Sequence, residues 1–85
     1  MNPYKEVIKD KISYRTFSTD ISEHELVWHR DREDRIVKAI HDTDWQIQLD
    51  NQLPQKLIKE IFIPKGVYHR VLKGTSDVTL MIEFL

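Results

Sequence analysis

The chain has 85 residues, 40% of them hydrophobic, which is enough for one small globular domain and too much for a disordered one. Thirteen basic residues nearly cancel fourteen acidic ones, and a net charge of −1 excludes the strong field of a nucleic-acid or anionic-membrane binder. Cysteine is absent, which excludes disulfide staples and thiolate ligands, and no apolar run is long enough to span a bilayer.

The start, MNPYKEVIKDK, lacks the apolar stretch of a secretory signal, so the expected location is the cytoplasm. Residues 2–11 read as a short helix, with Asn2 as N-cap and Pro3 at the first helical position. Tyr4, Val7, Ile8 and Lys11 recur at helical spacing. Tyr4 and Ile8 are then the docking contacts, and Lys5, Lys9 and Lys11 the wet face.

From residue 12 the pattern is β. Ile12 to Phe17 and Glu25 to His29 read as strands, and Arg35 to Ile40 alternates weakly. The polar turn at 41–44 precedes Trp45, Ile47 and Leu49, which share one face of a half-buried strand. Asp50 and Asn51 suit a hairpin turn, because both tolerate positive φ. Ile61 to Ile63 is a strand closed by Pro64, and Pro64-Lys65-Gly66 is a turn. Val67, His69 and Val71 point one way and Tyr68, Arg70 and Leu72 the other. After a turn at 73–77, Val78, Leu80, Ile82 and Phe84 form the inner face of the last strand. Many short strands at this spacing predict a mainly β domain, with residues 1–11 as a helical extension and 12–85 as a barrel. Apolar residues on both faces, such as Ile58 and Phe62 against Ile61 and Ile63, predict a homodimer.

Two segments can carry chemistry. In Trp28-His29-Arg30-Asp31, residues two apart in a strand project to the same face, so His29 and Asp31 emerge together. In the second, a P-x-G turn delivers His69 into the next strand. Two imidazoles and a carboxylate leave open positions on one side of a divalent metal, as in non-haem iron proteins, and also suit manganese, nickel or zinc. The same alternation puts Arg35 near the site, where it would orient a substrate carboxylate. The run from His29 to Arg35 is seven polar residues, which equally describes a solvated edge. His69 taken alone equally describes a hydrogen-bonded core histidine. By alternation Trp28 and Tyr68 point away from the two histidines, and His24 and His41 lie outside the motif.

Pro64, Gly66 and His69 match the P-x-G-x-x-H segment of the cupin family, and the chain resembles a small single-domain cupin over residues 25–84. The resemblance implies a jelly-roll, double-stranded β-helix barrel of the RmlC-like kind. His29 stands at the first ligand of the family's H-x-H segment, and Asp31 where its second histidine would be. The usual glutamate falls near Asp34 or Arg35, so the implied set has three ligands: His29, Asp31 and His69. That set is similar in outline to the H-x-D…H ligands of iron and 2-oxoglutarate dioxygenases. The functional expectation is a metal-binding cupin, dioxygenase- or isomerase/lyase-like, acting on a small polar or anionic molecule. The alternatives are a cupin that binds a small ligand without turnover and a structural dimeric one without metal.

Overall fold

A computed structural model describes residues 4–22 and 26–85. Eight strands form two antiparallel sheets. They are β1 (Lys5–Lys9), β2 (Ile12–Phe17), β3 (Arg35–Ala39), β4 (Gln46–Leu49), β5 (Gln55–Lys56), β6 (Ile61–Ile63), β7 (His69–Leu72) and β8 (Val78–Phe84). One sheet has the order β1-β2-β8-β3-β6 and the other β5-β4-β7. From β3 onward the chain passes back and forth between the sheets, and their inner faces share one core.

That core follows the period-two pattern. Val78, Leu80 and Ile82 alternate inward on β8, Ile47 and Leu49 on β4, and Ile61 and Ile63 on β6. Trp45 and Val78 are fully buried, and the Trp45 ring packs against Phe17 with centroids 5.7 Å apart. Val7 and Phe62 lie exposed on the five-stranded sheet.

The expected N-terminal helix is not there. Residues Lys5–Lys9 are instead an edge strand, paired with β2 from Lys5↔Thr16 to Lys9↔Ile12. Asp10 adopts φ 57°, the left-handed conformation that lets the chain reverse tightly between these strands. Backbone pairing with β2 outweighs the helical spacing of Tyr4, Val7 and Ile8, and Val7 and Ile8 remain exposed. Tyr4 does reach the core, with its ring 5.2 Å from that of Phe17. Asn2, Pro3, His24 and Glu25 lie outside the described residues. The strand expected to end at His29 is reduced, among those residues, to a single bridge between His29 and His69. Among the described residues no helix is long and apolar enough to cross a membrane.

Candidate metal centre

His29 and His69 sit directly opposite each other. The His29 N–H donates to the His69 carbonyl at 3.0 Å, and the His69 N–H donates back at 2.8 Å. A bridge of this kind puts both side chains on the same face, and the ring centroids are 4.3 Å apart. Trp28 and Tyr68, the preceding residues, point outward and stack with Arg70 and Arg30 respectively.

The P-x-G turn sets the register of His69. Val67 N–H closes the turn onto the Pro64 carbonyl at 3.2 Å, and Gly66 takes φ 77°, which a side chain would resist. The same turn fixes the segment that carries Asp31. Gly66 N–H donates to the Asp31 carbonyl at 2.9 Å, and Lys65 N–H donates to Asp34 Oδ1 at 2.8 Å. Asp34, near the place of the fourth cupin ligand, is thus spent on the turn.

His29, Asp31 and His69 each offer one ligand atom, all within 4.8 Å of one another. The two imidazoles are held alike. His69 Nδ1 lies 2.9 Å from the Val67 carbonyl and His29 Nδ1 lies 3.0 Å from the Val27 carbonyl. A carbonyl only accepts, so Nδ1 carries the proton and, in the neutral ring, Nε2 is a bare lone pair. Burial pushes the His69 imidazole below its ordinary value, and the nearby His29 and Arg35 charges act the same way, against the Val67 hydrogen bond and Asp31. His69 is therefore neutral at neutral pH. Its Nε2 lies 3.2 Å from Asp31 Oδ2, acceptor facing acceptor.

Asp31 Oδ2 is buried and has no hydrogen-bond donor among the described residues. Arg35 Nε lies 3.3 Å away, but its proton is directed at Glu33, whose Oε1 accepts from Nε at 2.9 Å and from Nη2 at 2.7 Å. A buried carboxylate oxygen that accepts no hydrogen bond and faces a proton-free nitrogen is costly, even with the Arg35 charge nearby, and a cation between them would relieve it. The donor set therefore fits a divalent ion: neutral imidazole nitrogens oriented through Nδ1–H, plus one carboxylate.

The three residues line a cavity of about 330 Å³ between the two sheets. Its walls are largely apolar, including Phe17, Val37, Ile47, Leu80 and Ile82, and two arginines, Arg15 and Arg35, also line it. The sequence points to Arg35 but not to Arg15. The available signal was the inverted alternation of β2, where Ser13 and Phe17 are buried while Tyr14 is exposed. Arg15, between Ser13 and Phe17, shares their inward face.

No family model matches the sequence, and no curated protein matches it either. Solved structures do. An RmlC-like cupin family protein with a double-stranded β-helix fold from Methanocaldococcus jannaschii is 10% identical with a TM-score of 0.69, covering 95% of this chain and 77% of that one. A chain from crystal structures of the DMSP lyases RdDddP and RnDddQII is 12% identical, TM-score 0.69, covering 86% of this chain. Fe(II) HppE in complex with substrate is 11% identical, TM-score 0.68, covering 96% of this chain. The chain spans only 36% of the lyase chain and 52% of HppE. Two sheets joined by repeated crossings, a P-x-G turn feeding an inward histidine, and these likenesses agree: the chain has the double-stranded β-helix fold of a small cupin domain.

Proposed function

We propose that this domain holds a divalent metal ion on His29, Asp31 and His69 and acts on a small polar or anionic molecule in the adjoining cavity. The observation that carries this reading is the meeting of three acceptor groups, one of them the orphaned Asp31 Oδ2, inside a sheltered pocket. A bound ion would supply Lewis-acid or redox chemistry at its open positions. The protein's own part is to orient. Val27 and Val67 carbonyls fix the imidazole tautomers, and Arg35, braced by Glu33, holds its charge beside Asp31 and faces the ligand space. The Fe(II) form of HppE and the DMSP lyases make iron-dependent or lyase-type chemistry the first classes to assay.

A second reading, ligand binding without turnover, is favoured by one observation. Outside the triad and the two arginines, Tyr4 is the one side chain with a polar atom among the described residues that line the cavity, which leaves little acid–base machinery beside the site.

Elemental analysis of protein purified without a histidine tag tests the metal. About one ion per chain is expected for the wild type, and none for His69→Ala. Equal metal content in the two would overturn the proposal. Turnover in a panel of lyase and oxygenase assays would then separate the enzyme from the binding domain.

A further inference from the structure

We propose that Arg15 is the anchor for the anionic end of the ligand, and that the ligand is a small monocarboxylate with an apolar body. The proposal rests on the metal reading above and adds the substrate class to it.

The two arginines that face the cavity are bound differently. Arg35 spends Nε and Nη2 on Glu33 and sits beside Asp31, so only Nη1 is left without a protein partner. Arg15 makes one hydrogen bond, from Nε to Glu6 Oε2 at 2.6 Å. Its guanidinium stacks on the Tyr4 ring at 4.6 Å, and its side chain is 14% exposed. Nη1 and Nη2 have no hydrogen-bond partner among the described residues. A guanidinium pinned at Nε and on one face presents its two Nη groups as a fixed fork, and that fork matches the two oxygens of a carboxylate.

Glu6 does not compete for the ligand. It accepts from the Ser13 hydroxyl as well as from Arg15. Its place is that of a brace, pairing with Arg15 across β1 and β2 in the strand register.

The charges select the ligand class. Glu6 offsets Arg15, Glu33 offsets Arg35, and Asp31 alone remains beside two imidazoles, which ligate an ion only as neutral rings. A divalent ion would bring the centre to a single positive charge, which a monoanion neutralises and a dianionic phosphate overshoots. Apart from the triad, the two arginines and Tyr4, the described residues that line the cavity are apolar, Phe17, Val37, Leu80 and Ile82 among them, and suit an apolar body. A cavity of about 330 Å³ is at the small end for ligand pockets, which limits the ligand to a compact acid.

The test is calorimetric titration of metal-loaded protein with butyrate, benzoate and 3-hydroxybutyrate, each beside its primary amide and its phosphonate. At least one carboxylate should bind, and its amide and phosphonate should bind more weakly. Arg15→Met should weaken that carboxylate about 10- to 100-fold, Arg15→Lys less, and both should keep wild-type metal content. No carboxylate binding by the wild type, or equal affinity in Arg15→Met, would overturn the assignment while leaving the metal content as an independent result. Should both variants fail to fold, carboxylate against amide on the wild-type protein decides, and equal binding overturns the assignment. Loss of metal from the wild type itself would instead strike the triad.

Discussion

The two ends of the barrel treat buried polar groups in opposite ways. At the Trp45 end no buried side-chain polar atom among the described residues lacks a partner. Trp45 Nε1–H donates to the Ser76 carbonyl, and Trp45 N–H donates to Thr43 Oγ1. The Asp44 carboxylate accepts from both the backbone and the hydroxyl of Thr75, which hold it below the usual carboxylate range. At the His29–His69 end, Asp31 Oδ2 is buried without a donor and faces a proton-free nitrogen. Satisfied polar groups locked around a fully buried ring serve stability. An unsatisfied cluster on an open cavity is a defect for stability, and such defects persist where function needs them.

The comparison can be broken first at the closed end. Trp45→Ala removes a ring that is 0% exposed and orphans the Ser76 carbonyl, at about 3–5 kcal/mol. That loss rivals the whole stability of a small domain, so urea denaturation should find the variant largely unfolded. A cooperative melt near the wild-type midpoint would mean that Trp45 does not anchor the core.

At the open end the sign should reverse. Asp31→Asn puts an amide donor beside the bare Nε2 of His69 and removes the orphaned charge. In metal-stripped protein the substitution should raise stability by about 1 kcal/mol, although Arg35 loses a neighbouring anion. With metal present it should lower stability, because the ion's charged ligand is gone. Melts with and without added zinc check both halves, and a loss of stability in the stripped protein would contradict the frustrated contact.

The last effect is one of pH, and it is confined to a narrow window. Burial keeps His69 below its ordinary value of 6.5, so the unfolded chain takes up its proton first as pH falls. Between 6.5 and the lowered value the unfolded state binds more protons, and stability in the metal-free protein falls as pH falls through that window. The slope from this group is at most about 1.4 kcal/mol per pH unit. Urea melts of metal-free wild type and His69→Gln across this range should differ in slope by that much or less, with the wild type the steeper. Parallel slopes would show that His69 is not held neutral.

Much of this was legible in the chain itself, for physical reasons. His69–Leu72 and Val78–Phe84 alternate because one face is buried, and alternation is local; Ile12–Phe17 and Ile61–Ile63 are legible instead as short runs of β-branched and aromatic residues. The P-x-G turn is also local, since a positive φ at Gly66 is written into one residue. The inward face shared by His29 and Asp31 followed from strand periodicity, even though the structure gives this segment only one bridge. β1 was not legible. Tyr4, Val7 and Ile8 fall at helical spacing, and what makes the segment a strand is the partner it finds in β2. Arg15 was hidden for a related reason. Alternation assigns polar residues to water, and on β2 the polar residues Ser13 and Arg15 face the interior. A polar inner face contradicts the usual pattern because the cavity, not the core, is its neighbour.

The bridge between positions 29 and 69 is a ladder with a single rung. On one side it is continuous with β7, which is paired to β4 along its length; on the other it leads into a segment with no strand pairing of its own among the described residues. The two imidazoles therefore differ in how they are anchored. His69 cannot move without disturbing a sheet, whereas His29 is held by one bridge, by the Arg30–Tyr68 and Arg70–Trp28 stacks and by the Gly66–Asp31 bond just after it. Fewer backbone bonds hold that side, so the first local opening of the site is expected there, ahead of any loss of the barrel.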